Sequence, residues 1–141
     1  MAVIGHNLAL VLLLASSGLA DQASEALERL NYVATALSDN NPADAMVPFD
    51  KSLPEYEKLR RYFAGLTDGF QLTNEATVTD EEHSEGETKL TLQWTMTLTD
   101  PASQVSRQRT GEIHARLALR KGKWKIVGFS PANFFNPQQK Q

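Results

Sequence analysis

The side chains best suited to acid–base chemistry in this sequence are two tyrosines and a glutamate–histidine pair. Tyr32 and Tyr56 fall in segments where apolar residues recur at helical spacing, whereas Glu112 and His114 fall where apolar and polar residues alternate. A carboxylate and an imidazole on one strand face could exchange a proton. Their parity is opposite to that of Ile113, which predicts that they lie on the outer, solvated face. They become catalytic candidates only if the register slips by one residue.

Two arginines and three aromatic residues are the candidates for a ligand pocket. Arg107 and Arg109 share the parity of the apolar residues that follow them, so both can point inward, where a guanidinium suits an anionic or carboxylate-bearing ligand. The alternative is that this end of the strand lies beyond the core and both are hydrated. Phe63, Trp94 and Phe129 could form apolar walls, although aromatic residues at such spacing are more often plain core.

Motifs for metal, cofactor or nucleophilic chemistry are absent from the sequence. It has no cysteine, no glycine-rich phosphate loop and no histidine pair at metal spacing, so no cofactor is expected. His83 lies in the acidic run 81–86, which is predicted to be an exposed loop without the converging framework that a metal site needs.

The charge pattern argues against a nucleic-acid partner. The formal net charge is −3, with both signs interspersed along the chain. Basic residues do gather around one predicted turn, where solvation and protection of the sheet edge are the favoured explanation over contact with phosphates. They are Arg116, Arg120, Lys121, Lys123 and Lys125.

The first twenty residues differ from the rest because they contain no Asp, Glu, Lys or Arg. Leu8 to Leu14 is an apolar stretch, and Gly18 and Ala20 are small residues preceding Asp21, so residues 1–20 are predicted to be a signal peptide. A membrane anchor is disfavoured because the apolar run is too short to span. A misplaced start codon or a buried first helix is the other alternative, since the leader lacks a basic residue. The mature domain would then be residues 21–141, with no membrane partner after the leader is removed.

Helices are predicted in the first half of this domain. Apolar spacing of three and four predicts one helix from Asp21 to Asp39. Asn41 and Pro42 form an N-cap and first-position pair that starts a short second helix. Ser52, with Glu55 three residues later, has the capping-box pattern that starts a third helix, which runs to about residue 66.

Four antiparallel strands are predicted after Gly69, where the apolar period changes to two. Gly111 is the expected site of a bulge or kink in the long third strand, and Lys121 and Gly122 form a tight turn. The predicted strands cover 70–80, about 89–98, 104–120 and 123–130, and residues 136–141 form a polar tail.

Three features of the chain resemble the nuclear transport factor 2-like superfamily, which includes ketosteroid-isomerase-like and polyketide-cyclase-like domains. They are the segment Asn40–Met46, the aromatic third helix and the ending Gly122–Val127. The resemblance implies an α+β fold in which three helices pack on a strongly bent four-stranded antiparallel sheet, a cone-shaped, cystatin-like architecture with an apolar pocket. Residues 47–52 are too few for the extra hairpin of many relatives, which implies a more open mouth.

These observations favour an exported, non-catalytic binding or interaction domain. It would hold a small apolar or weakly anionic molecule in the cone, or form a homodimer through its Thr-rich outer sheet face. The alternative is an isomerase, cyclase or hydrolase that uses general acid and base catalysis in the cone without a cofactor. The leader and the resemblance together predict a periplasmic or secreted bacterial protein.

Overall fold

The computed structural model describes residues 22–139, which contain three α-helices followed by a four-stranded antiparallel sheet. Helix α1 covers 22–38, α2 is Pro42–Ala45 and α3 is Tyr56–Gly69. The α+β class predicted from the sequence is confirmed. The predicted signal peptide, residues 1–20, lies outside the described residues.

The apolar stripes of the sequence become the buried faces of the helices. In α1, Leu30 and Leu37 are fully buried, and in α3 so are Leu59 and Phe63. All four belong to the same core cluster as the inner-face residues of the sheet. The helical spacing of apolar residues therefore predicted which faces of these helices are buried in the core.

The two predicted N-caps have different outcomes. Asn41 caps α2, since its Oδ1 accepts a hydrogen bond from the backbone N–H of Asp44 at 3.2 Å. The predicted capping box at Ser52 is wrong, because α3 begins at Tyr56 and no side chain caps it. The N–H of Ser52 instead donates to Oδ1 of Asp50 at 2.9 Å, which closes a turn before the helix.

The strands are β1 (Gln71–Ser84), β2 (Glu87–Thr99), β3 (Ser106–Arg120) and β4 (Lys123–Ser130), paired in sequence order. The predicted loop at 81–86 is wrong, because β1 continues to Ser84 and only two residues turn. Cross-strand pairs explain why β1 extends beyond residue 80. Glu82 stands opposite Lys89, and His83 bonds Thr88 through Nδ1 and Oγ1 at 3.1 Å.

The predicted bulge at Gly111 is also wrong, because Gly111 pairs with Trp94 in an uninterrupted register between β2 and β3. The register shifts lie elsewhere, between Val78 and Asp80 in β1 and opposite Arg116 and Leu117, where Val127 of β4 is left without a partner in β3. Gly111 is needed for a different reason, the close approach of an aromatic ring described below.

The short connection between α2 and α3 pairs with the edge of β4. Phe49 forms an isolated parallel bridge with Ile126. The N–H of Asp50 donates to the Ile126 carbonyl, and the N–H of Ile126 donates to the Pro48 carbonyl, both at 2.9 Å. This pairing fixes residues 47–51 beside the turn that joins β3 and β4.

Candidate functional site

The predicted aromatic pocket residues come together in the interior. Phe63 and Trp94 are completely buried and Phe129 is almost so. The indole of Trp94 lies 6.0 Å from the ring of Phe129, and Phe135 lies 5.2 Å from Trp94 and 5.4 Å from Phe63, between ring centroids. Phe135 therefore occupies the space that the predicted walls enclose.

Arg109 lies beside this cluster with only 2% of its surface exposed. Its Nη1 donates to the carbonyls of Phe134 at 2.7 Å and Asn136 at 2.9 Å, and its Nη2 donates to the carbonyl of Gln139 at 3.1 Å. Burial lowers the pKa of Arg109, and the nearby charge of Arg107 lowers it further. Residues predicted to be a polar tail thus accept hydrogen bonds from a buried cation.

Arg107 has a different environment, although it shares the parity of Arg109. It is exposed, and its guanidinium carbon lies 5.7 Å from the centre of the Phe70 ring, a cation–π contact. The two predicted binding arginines are therefore separated, one in the interior and one on the surface.

Residues Ala132–Gln139, here called the C-terminal segment, begin with a turn of 3-10 helix and fit closely between α3 and β3. A Cβ placed on Gly111 would lie 2.9 Å from the Phe134 ring, and one placed on Gly65 would lie 2.8 Å from Cγ of Pro137. The hydroxyl of Tyr62 also bonds Oδ1 of Asn133 at 3.1 Å. Two separate elements therefore leave room for this segment.

The weaker catalytic candidates do not form a site. Oε1 of Glu112 lies 3.1 Å from Nε2 of His114, but both side chains are mostly exposed. Tyr32 is 43% exposed, and it lines a cavity of about 230 Å³. Tyr56 lines a different, larger cavity. Tyr32, Tyr56 and the Glu112–His114 pair thus lie in three separate places.

The larger cavity, about 730 Å³, is here called the basic groove. It lies between the α2–α3 connection and the β3–β4 turn. One carboxylate and five cations line it, namely Asp50, Lys51, Arg120, Lys121, Lys123 and Lys125. Four of these cations belong to the basic run that the sequence predicted to be merely solvated, and Lys51 was not singled out at all.

No metal or membrane-spanning feature accompanies these sites in the described chain. Within residues 22–139, no group of three or more His, Cys, Asp or Glu side chains is arranged to hold a metal ion. Over the same residues, no helix is long and apolar enough to cross a bilayer.

Comparison with known proteins identifies the fold as the nuclear transport factor 2-like fold. A conserved protein from Planctomyces limnophilus matches with a TM-score of 0.70 and 9% identity, over 77% of this chain and 93% of that chain. A putative scytalone dehydratase from Novosphingobium aromaticivorans matches at 0.68 and 12%, over 77% and 80%. A superfamily protein from Salmonella enterica matches at 0.61 and 12%, over 82% and 92%.

These likenesses show the fold alone, because the identities are so low. No protein-family model and no curated protein sequence matches the chain. Function must therefore be argued from the sites.

Proposed function

We propose that this protein is a non-catalytic binding domain whose ligand pocket is the aromatic interior around Arg109, held closed by the C-terminal segment. The observation that carries this proposal is the setting of Arg109, a residue only 2% exposed whose guanidinium donates to the carbonyls of Phe134 and Asn136. The same guanidinium donors suit a ligand that brings a negative charge.

The chemistry of the segment suggests the class of ligand. Its backbone carbonyls accept hydrogen bonds from Arg109, while the ring of Phe135 packs against Trp94 and Phe63. A small molecule that joins one carboxylate to an aromatic or apolar body would offer the same two features, namely an acceptor for Arg109 and a group that packs against Trp94 and Phe63. A carboxylate forms stronger, charge-assisted bonds with a guanidinium than carbonyls do, so it would compete for Arg109.

The finer features of the fold agree with this proposal. Bulges bend strands and increase their twist, so the register shifts at Val78/Asp80 and Arg116/Leu117 support a bent, cone-like sheet around the interior.

Export through the leader remains part of the proposal, as the sequence predicts. So does a homodimer through the outer sheet face, where Thr95 and Thr110 approach each other at 3.4 Å between hydroxyl oxygens.

The enzymatic alternative gains no support from these contacts. Solved structures with this fold include a protein described as a putative scytalone dehydratase and one described as a putative aromatic ring hydroxylase. In this chain, however, Glu112 and His114 form an exposed pair, and Tyr32 and Tyr56 line separate surface cavities. General acid–base catalysis needs such groups within hydrogen-bond reach of one substrate.

The test is to loosen the segment without touching the pocket walls. Gly111→Ala places a methyl group against the Phe134 ring, whereas Gly69→Ala is the matched control because nothing lies within 4 Å of its Cβ position. Binding of 2-naphthoate would be measured by calorimetry. Apparent affinity scales with the fraction of molecules whose pocket is open. We therefore expect Gly111→Ala to bind 2-naphthoate more tightly than the wild type, by about tenfold or more. Gly69→Ala should match the wild type.

Three controls separate a ligand pocket from a damaged core. A synthetic peptide of residues 131–139 should compete with 2-naphthoate, and neutral 2-naphthol should bind weakly because it lacks the carboxylate. Adding Arg109→Met to Gly111→Ala should abolish the gain. Phe135→Ala provides a second way to open the interior if Gly111→Ala does not fold. Equal binding of naphthol and naphthoate, or no binding by either variant, would reject the proposal.

A further inference from the structure

We infer that the basic groove is a second binding site, for a phosphate monoester attached to an apolar or aromatic body. The groove shares no lining residue with the predicted interior pocket of Phe63, Trp94, Arg109 and Phe129. The inference therefore stands or falls independently of the proposed function.

The first argument is the amount of uncommitted positive charge. The side chains of Lys51, Lys121 and Lys123 make no hydrogen bond or ion pair with any of residues 22–139. The whole chain is formally negative, at −3, so this concentration is not a general property of its surface. Like charges held together repel, and an anion that binds among them relieves that repulsion.

The remaining charged groups of the groove are partly engaged with the protein. Arg120 Nε lies 3.6 Å from Oδ2 of Asp50, and Nζ of Lys125 donates to the Val47 carbonyl at 3.0 Å. The N–H of Ser52 bonds Asp50 and is the main cause of its lowered pKa, with smaller contributions from Arg120 and Lys125. Asp50 thus stays ionised at neutral pH and offsets one cation, which leaves the three lysines to the ligand.

The second argument is the apolar part of the wall. Met46 and Phe49 are buried side chains that reach the groove, and Tyr56 is partly buried beside them. Val47, which is 56% exposed, also lines the groove. The volume of the groove, about 730 Å³, lies within the range of small-molecule sites, which combine mostly apolar walls with a few placed polar groups.

The third argument concerns which anion fits. Lysine ammonium groups are compact point charges that bind phosphate well, whereas the arginine fork binds carboxylates and phosphates alike through paired hydrogen bonds. Here the uncommitted cations are all lysines, and the one arginine is paired with Asp50. A phosphate monoester carries close to two negative charges at neutral pH, which matches several lysines better than a single carboxylate does.

The acidic end of the β1–β2 hairpin lies nearby, since the N–H of Leu119 donates to the Gly86 carbonyl at 3.0 Å. None of its carboxylates lines the groove, and Glu87 is paired with Arg116 at 2.9 Å. The basic side chains of the groove are therefore bounded by acidic ones on this side, which favours a small ligand over an extended anionic surface such as a membrane or a nucleic acid.

The experiment measures binding of 1-naphthyl phosphate to the full chain by calorimetry, with inorganic phosphate and 1-naphthol as the separate halves of the probe. Lys123→Glu is the test variant. Lys58→Glu is the control, because it makes the same change in net charge on α3, outside the groove. We expect Lys123→Glu to weaken binding about tenfold or more, since it replaces attraction with repulsion, and Lys58→Glu to leave binding unchanged.

A third variant separates the apolar contact from the charge. Val47→Ser keeps the carbonyl that Lys125 bonds, so it should weaken 1-naphthyl phosphate but not inorganic phosphate. Binding of the probe should also weaken as salt is raised. The inference is overturned if Lys58→Glu weakens binding as much as Lys123→Glu. It is equally overturned if inorganic phosphate binds as tightly as the probe, or if the probe does not bind.

Discussion

Positive charge has opposite environments in the interior around Arg109 and in the basic groove. Arg109 is buried and donates to the carbonyls of Phe134, Asn136 and Gln139. The side chains of Lys51 and Lys123 are exposed, and their ammonium groups bond no part of the described chain. Buried charge must be satisfied for the protein to fold, whereas exposed charge can remain uncommitted at little cost.

This difference separates stability from binding. Changes in the interior should alter the free energy of unfolding, because packing and buried hydrogen bonds are lost together. Changes in the groove should leave folding nearly unchanged and alter only what binds. Four predictions test this contrast, from the largest expected effect to the smallest.

The largest effect is expected for Phe135→Ala. Phe135 is completely buried and contacts the rings of Phe63, Trp94 and Phe129. Removing a core phenyl group typically costs about 3 to 5 kcal/mol of unfolding free energy. Urea unfolding followed by circular dichroism measures it. Val105→Ala, at a side chain 67% exposed, should change stability by less than about 0.5 kcal/mol. Similar losses in both variants would contradict the interior packing.

The second effect is expected for Arg109→Met. The change keeps most of the side-chain volume but leaves the carbonyl of Phe134 without its donor, while the carbonyl of Asn136 keeps only the backbone N–H of Gln139. An unsatisfied buried polar group costs about 1 to 3 kcal/mol, so we expect a loss of roughly 2 kcal/mol. Arg107→Met is the control, because that guanidinium is exposed. A stable Arg109→Met variant would mean that these hydrogen bonds do not hold the C-terminal segment.

How far the sequence predicts the molecule depends on the range of the contacts involved. The change from helical spacing to alternation after Gly69 was enough to predict three helices and four antiparallel strands. The parity of Trp94 was enough to place it on the inner face, whereas parity allowed both Arg107 and Arg109 to point inward and only Arg109 is buried. These are local signals, since a period is repeated within each element.

Contacts between distant segments could not be predicted in this way. Nothing local indicates that Asn136, in a polar tail, meets Arg109, or that Gly111 faces Phe134 instead of forming a bulge. The groove likewise needs Lys51 and Lys123 to meet, which the bridge between Phe49 and Ile126 arranges. A single sequence carries no period that reports such pairings.

The third effect is expected for Gly111→Ala. Its new methyl group would lie 2.9 Å from the Phe134 ring, so the ring or the strand must shift. Overpacking of this kind costs about 1 to 3 kcal/mol. Gly69→Ala has free space around it and lies in helix α3, so it should be neutral or stabilise by up to about 1 kcal/mol. Hydrogen exchange should be faster in the C-terminal segment of Gly111→Ala alone. Unchanged exchange there would show that the ring accommodates the methyl group without moving.

The smallest effect is expected for Asp50→Asn, and it depends on pH. The pKa of Asp50 in the folded protein lies below its ordinary value of 3.8, mainly because the N–H of Ser52 bonds the carboxylate. A carboxyl group with a lowered folded pKa contributes stability above its unfolded pKa and loses it as the pH falls through the folded pKa. The wild type should therefore be slightly more stable than Asp50→Asn at pH 7, and the gap should close below pH 3.8. Lys123→Gln, which removes a charge without a bonded partner, should show no such gap. Equal pH dependence in Asp50→Asn and the wild type would mean that the carboxylate is held by solvent instead of by the turn that positions the groove.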